Sequence, residues 1–444
     1  MTSDDAVIRR LRWADMDDDA RRALCARGLD DIFDPELRAS IGELIEDVRT
    51  RGDEAVCDAL ARFDGIVLTP GQLRVGTDEL NAARVGRDVD TALDDAIAHV
   101  RAFNDAQRAQ LGDWEVGVEP GLRVGEKFSP IASVGLFVPS GKASYPSVAY
   151  QLATPAVVAG VGRIVLAVPP VPGGGGEIDP AVLVVCRKLG LTEVFRVNGP
   201  AGIAALGFGT KSVPRVRMVV GPGSPAVTLA QVEMQRHGIA TMMVLGPTES
   251  LVVADESADP VRLAADLLTE AEHGTDSSVV LVTPDDALAT AVHDQLSAQL
   301  CELPEIRRVA ARAALGTNGG CVLVQDLDEA VAVANRYAPE HLQVAVRREL
   351  EDAVVGALTN AGEILVGQHT PFSAANYLIG CPASLPTSGF AHVSSGITAH
   401  TFLKRTAVAR ADETAIARMA PSVIALADHE GFPAHAAALR RRQP

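Results

Sequence analysis

From Val134 onward the chain alternates short apolar runs with longer helical segments, and that rhythm constrains the fold more than any other feature of the sequence. Val134-Gly135-Leu136-Phe137-Val138-Pro139 is too short for a helix and apolar at consecutive positions, as a strand covered on both faces should be. A Ser140-Gly141-Lys142 turn and an apolar helix over residues 146–160 follow it. Strands are expected again at residues 163–168, 193–197, 216–220 and 241–245, separated by helices at 180–189, 202–208 and 226–237. A second series has strands at 251–255, 278–283, 321–325 and 363–366, with helices at 260–272, 287–300, 327–337 and 350–361. Alternation of this kind predicts α/β architecture with two Rossmann-like parallel-sheet domains, although no residue-level repeat marks them as a duplication.

Ahead of the first series, residues 21–101 are charged and helical, with Ile41, Leu44, Ile45 and Val48 at three-to-four spacing. After Leu385-Pro386-Thr387 the alternation stops. The expected domains are therefore an N-terminal helical extension (1–24), a first α/β domain (25–131 and 248–390), a second (132–247), and a C-terminal tail domain (391–444) that packs on another domain or subunit. The helical N-terminal region and the tail are extensions to the two sheets.

Charge narrows the partners. With 57 acidic against 40 basic residues the net charge is −17, which repels nucleic acid and anionic membranes. The N-terminus has no basic stretch leading into an apolar core, and no run approaches the ~20 apolar residues of a membrane span, so a cytoplasmic protein is expected. The six cysteines are scattered without CxxC spacing and read as reduced thiols.

Two stretches concentrate titratable groups in a chain with ten histidines: Glu270-Ala271-Glu272-His273 and Ala338-Pro339-Glu340-His341-Leu342. Glu270 and His273, three apart near a helix end, share one face and can ligate one metal ion; an ordinary helix C-cap before Gly274 is the competing reading. Glu340 and His341 follow a helix and precede an apolar strand, so they lie at a strand mouth of the kind ligands favour, or else form a solvated charged turn. Gly221-Pro222-Gly223-Ser224-Pro225 lies between strand and helix, where free amides can hold an anion. Gly246-Pro247-Thr248-Glu249 places a hydroxyl at another strand end.

Taken in order, Val134 to Pro139, Gly221-Pro222-Gly223, Gly246 to Glu249, Ala271-Glu272-His273, Ala338 to Leu342, Leu385-Pro386-Thr387 and Ser394-Ser395-Gly396 make a set that resembles the histidinol dehydrogenases, from about Ile41 to the C-terminus. The resemblance implies a homodimeric, Zn2+-dependent, NAD-linked enzyme that oxidises an amino alcohol to the acid through an aldehyde. It assigns proton transfer and water activation to Glu340 and His341, and metal ligation to Glu270, His273, Asn376 and His435, with His435 reaching the other subunit's site. Substrate contacts fall on Thr248 and Glu430.

The chain also departs from the family it resembles. A glutamine ligand becomes Glu270 and an aspartate becomes Asn376, an exchange that leaves the ligand set with one negative charge. The family's tyrosine, glutamine and asparagine toward NAD stand as Phe137, Ala201 and Ser224. Hydrogen bonds of ~0.5–1.5 kcal/mol each are lost there, weakening NAD by roughly one to three decades if nothing replaces them. An asparagine–histidine pair in the substrate pocket becomes Pro382-Ala383. The leading expectation is an NAD(P)-linked dehydrogenase of a small polar alcohol other than histidinol. Competing with it are a metal enzyme without nicotinamide that performs hydrolysis, elimination or epimerisation, with an open apolar cleft around Phe137 and Ala201, and a noncatalytic binder.

Overall fold

The computed structural model describes residues 7–27, 34–139, 144–242 and 246–442. Its strands, in chain order, are β1 (Arg10–Arg12), β2 (Trp114–Glu119), β3 (Leu122–Pro130), β4 (Ser133–Phe137), β5 (Arg163–Ala167), β6 (Val194–Phe195), β7 (Met218–Val220), β8 (Glu249–Ala254), β9 (Ser278–Thr283), β10 (Gly320–Leu323), β11 (His341–Ala345), β12 (Glu363–Val366) and β13 (Leu403–Ala411). They form a six-stranded sheet in the order β1-β10-β9-β8-β11-β12, a four-stranded sheet β6-β5-β4-β7 and a three-stranded sheet β13-β3-β2. Every pairing in the first two is parallel, and the third is antiparallel.

The unbroken apolar runs are buried on both faces as their sequence demands. In β8, Val252 and Ala254 pack with Leu263, Leu267 and Leu268 of the Pro260–Ala271 helix, whereas Leu251 and Val253 face Ala334, Tyr337 and Leu342 on the opposite side. Period two within a strand thus feeds two separate cores. The Asp259 carboxylate caps the Pro260–Ala271 helix by accepting from the Val261 N–H, with proline in the first turn, which sets where that helix begins and therefore where Glu270 ends up.

Four expectations about organisation need correction. Residues 1–24 are not only helical: β1 joins the large sheet beside β10. The Pro35–Arg51 and Arg87–Ala109 helices pack on the helices that cover the four-stranded sheet, Ile41 and Ile45 sharing one core with Phe137 and Ala204, Leu93 and Val100 another with Leu136 and Leu152, so this segment belongs with residues 132–247 rather than with 248–390. Apolar spacing on a helix reveals which face is buried but not which sheet buries it. The tail is continuous with earlier chain, because β13 pairs along its length with β3. The strand expected at 193–197 pairs over two residues, and of the one at 241–245 only residues 241 and 242 lie within the described chain; neither belongs to a strand, and the pairing there is a single parallel bridge, Met218 with Ala240. The turn at 140–142 also lies outside the described residues. Among those described, no helix is long and apolar enough to cross a membrane.

Candidate active site

The two parallel sheets meet end to end in an unequal way. The cleft between them is bounded by the carboxyl ends of β4 and β7, through Pro139 and residues 222–225, and by the amino ends of β8, β9 and β11, through Thr248, Ser277, Glu340 and His341. Glu340 and His341 therefore sit where β11 starts, opposite to the strand end at which open sheets usually bind ligands. Only the smaller sheet follows that rule. Gly221 makes the approach possible: its φ is +141°, and a Cβ there would lie 2.1 Å from the Phe137 carbonyl oxygen, so any larger residue would force the ends of β4 and β7 apart.

A cavity of about 470 Å³ fills this cleft. Its wall includes Thr248, His273, Glu340, His341, Asn376 and Ala383, residues separated by up to 135 positions in the chain but named together by the sequence reading. Ser224 also lines it. Two of the cofactor candidates do not: Phe137 and Ala201 are 1 % and 2 % exposed and pack in the core beneath the small sheet. The apolar cleft expected around them is absent from the described cavity walls. Glu430 and His435 lie at the end of the Glu413–His429 helix and in the Pro433–Arg440 helix, both exposed and neither on this cavity's wall.

The Glu340–His341 pair is no solvated turn, since the two residues are 8 % and 3 % exposed. The local backbone is tightly determined. Ala338 caps the preceding helix in the left-handed region at φ 50°, and the Gly362 N–H donates to the Pro339 carbonyl. A Cβ on Gly362 would meet the Glu340 carbonyl oxygen at 2.4 Å, so glycine is required for β12 to lie this close. The Glu340 side chain accepts from the Glu249 N–H at 3.1 Å, and His341 Nδ1 lies 2.6 Å from Glu363 Oε1, its neighbour in the β11–β12 register. The ring of Phe372 meets the imidazole edge to face. With Nδ1 occupied, Nε2 is the nitrogen left for proton exchange, 3.7 Å from Glu340 Oε1.

Burial pushes the Glu340 carboxyl up to about 8, only partly opposed by His341. Burial works against the His341 imidazolium too, but Glu340, Glu270 and Glu363 together outweigh it and carry that group up to about 10. Burial thus brings the Glu340 carboxyl close to the range where protons exchange at mild pH, while the surrounding carboxylates hold the imidazole protonated above it.

Sequence reasoning missed three members of this arrangement. Glu363 opens β12, and a carboxylate at the head of an otherwise apolar strand was its one signal. Glu249 is buried beside Arg27, 3.1 Å away, whose guanidinium lies 3.9 Å above the Tyr337 ring. Glu249 Oε1 accepts from the Ser388 N–H, and burial pushes its carboxyl up to about 7 against Arg27 and that N–H. No sequence pattern links Arg27 to it across more than two hundred residues. The third, Gln151, lines the cavity from the Pro146–Ala159 helix.

Glu270 is fully buried, with Oε1 accepting from Asn376 Nδ2 at 2.8 Å and Oε2 without a hydrogen-bond partner among the described residues. That free oxygen lies 3.9 Å from His273 Nε2, while His273 Nδ1 lies 3.4 Å from Thr248 Oγ1. An orphaned carboxylate oxygen facing an imidazole nitrogen, with the Asn376 carbonyl oxygen also unspent, is a donor set that fits a divalent cation such as zinc. Among the described residues no group of three His, Cys, Asp or Glu side chains is arranged to hold a metal ion, so a complete shell would have to draw on Asn376 and on a residue from elsewhere.

Residues 30–443 match the sequence profile of the family described as histidinol dehydrogenase. The chain belongs to the histidinol dehydrogenase family. It is 40 % identical over 407 residues to a histidinol dehydrogenase of Synechocystis sp., spanning 90 % of this chain and 92 % of that one. It is 41 % identical over 404 residues to one from Rhizobium meliloti, spanning 90 % and 91 %. The crystal structure of histidinol dehydrogenase from Elizabethkingia anophelis superposes with a TM-score of 0.92 at 29 % identity over 98 % of both chains. The fold and the kind of enzyme, an oxidoreductase of this family, are thereby shown.

Proposed function

We propose that this chain is a zinc-dependent, NAD-linked dehydrogenase of a small polar alcohol, with Glu340 and His341 as its proton-transfer groups. The observation that carries the reading is the buried Glu340–His341–Glu363 arrangement opening into one cavity with His273, Asn376 and Thr248. Glu340 is placed to take the hydroxyl proton in its ionised form and to orient water against an aldehyde in a second oxidation; His341 exchanges protons through Nε2 while Glu363 holds its far side. Thr248 and His273 position the reacting oxygen. Glu270, His273 and Asn376 would hold the zinc, which would supply a Lewis acid toward the substrate hydroxyl, and bound NAD would supply the hydride acceptor. Ser224 and the main-chain N–H groups of Gly223 and Ser224 form the cofactor's side of the cleft, at the carboxyl ends of the small sheet.

Histidinol, named in the descriptions of the relatives, is the reference substrate. A second reading, a polar alcohol without an imidazole, is favoured by Ala383, which puts a methyl group on the cavity wall where the resemblance implies an imidazole. Glu430 and His435 are exposed and away from their own chain's cavity, which supports a homodimer in which each tail serves the partner's site; a cytoplasmic location accords with the acidic charge. Following reduced nicotinamide at 340 nm with L-histidinol and a set of amino alcohols and polyols, with NAD or NADP, tests the function. Turnover only with added nicotinamide supports it. Turnover in exhaustively desalted protein, or absence of any NAD binding at millimolar concentration, overturns it in favour of a metal enzyme that has abandoned the nicotinamide.

A further inference from the structure

Gln151 carries the largest unspent polar capacity on the cavity wall. It is 3 % exposed, and among the described residues neither its amide nitrogen nor its amide oxygen has a hydrogen-bond partner. Ser147 and Val148, one turn earlier on the same helix, also line the cavity, so this face of the helix looks into the cleft. Pro155, inside the helix four residues later, has no N–H, so the Gln151 main-chain carbonyl also lacks its helical donor. Packing asks for no amide here, since Leu152, Ala153 and Ala156 beside it are fully buried and apolar. A polar group held in this state at a cavity wall has its partner in what the cavity binds.

The chemistry of that partner follows from the carboxamide. An ammonium would pair with Oε1 and leave the Nε2 hydrogens unmet, and a carboxylate would do the reverse. A hydroxyl donates to Oε1 and accepts one of the Nε2 hydrogens, so one group reaches both ends. We propose that Gln151 is a specificity-determining residue that holds a second hydroxyl group of the alcohol substrate, making this site selective for a diol or polyol. The proposal rests on the alcohol-dehydrogenase reading above and narrows its substrate.

The test uses the full-length zinc-loaded enzyme, wild type and Gln151→Met, with Gln151→Asn as a second variant that keeps the amide but withdraws it. Each is assayed for NADH formation with 1,2-propanediol, glycerol and erythritol, with 1-propanol as the partner lacking the second hydroxyl, and with L-histidinol. Expected for the wild type is a kcat/KM at least tenfold higher for 1,2-propanediol than for 1-propanol. Gln151→Met brings that ratio to within about threefold of one, through KM for the diol, while KM for NAD stays within twofold and the melting temperature is unchanged or raised. Gln151→Asn lowers the ratio to an intermediate value. An unchanged ratio in Gln151→Met overturns the proposal and leaves the dehydrogenase reading standing, as does a wild type that oxidises L-histidinol but none of the diols. A wild type that oxidises no alcohol overturns both.

Discussion

Glu363→Gln separates a proton-transfer role for His341 from a merely structural one. The substitution is nearly isosteric at a buried side chain, and the new amide oxygen still accepts from Nδ1, so the 2.6 Å contact persists while its charge is removed. A hydrogen bond to a charged group contributes about 1.5–3 kcal/mol and a neutral one about 0.5–1.5, so the imidazolium loses roughly 1–1.5 kcal/mol of support. That corresponds to about one pKa unit, moving the upper titration of the pair down from about 10 toward 9. Two opposed effects on rate follow. Above the upper titration His341 is a weaker base; if transfer is half complete in the transition state, about 0.7 kcal/mol is lost, close to threefold in kcat. Below it, a larger fraction of the variant is unprotonated, which offsets the loss. Steady-state kcat for the preferred alcohol between pH 6.5 and 10.5 should therefore show an alkaline limb displaced by about one unit to lower pH, a plateau lowered about threefold, curves that cross near pH ~9.5, and a variant about threefold faster than the wild type toward pH 7. An unmoved limb refutes the coupling of Glu363 to His341. A uniform hundredfold loss at every pH refutes it too, because it would mean that Glu363 contacts substrate or holds the strand in place.

Because the Glu340 carboxyl is raised, it is protonated below about 8 and basic above, so alcohol oxidation should rise with pH through that value and aldehyde reduction should fall. Glu340→Gln should abolish that limb and cut kcat by about 10²–10⁴, which pH–rate profiles in both directions will check. Glu270→Ala with His273→Ala should leave the protein without tightly held zinc by elemental analysis after purification without chelator, whereas the wild type should retain it; metal-free native protein contradicts the ligand assignment. Ala338→Gly removes a Cβ from a left-handed helix cap and should stabilise the fold by about 0.5–1 kcal/mol, read as a small rise in thermal midpoint; a fall would mean that the methyl group's burial outweighs backbone strain.

The alternation of apolar runs and helices by itself determined the two parallel sheets, since a strand buried on both faces has no polar positions to spare and needs covering helices. It also brought out Glu340, His341, Glu270 and His273, because titratable side chains stand out against apolar strand starts and helix ends. Asn376 became legible as the counterpart of Glu270 through the resemblance, and the structure joins them by a 2.8 Å hydrogen bond. Tertiary structure decided what depends on distance through space. Glu363 reaches His341 through the lateral register of two parallel strands, and Arg27 reaches Glu249 at 3.1 Å from a segment distant in the chain. Phe137 and Ala201 turned from the cleft into the core, because the side-chain alternation of a strand and the face of a helix are resolved only once a partner layer is in place. The amino-end position of Glu340 and His341 was likewise hidden, since a sequence shows where a strand begins but not which neighbouring sheet faces that end.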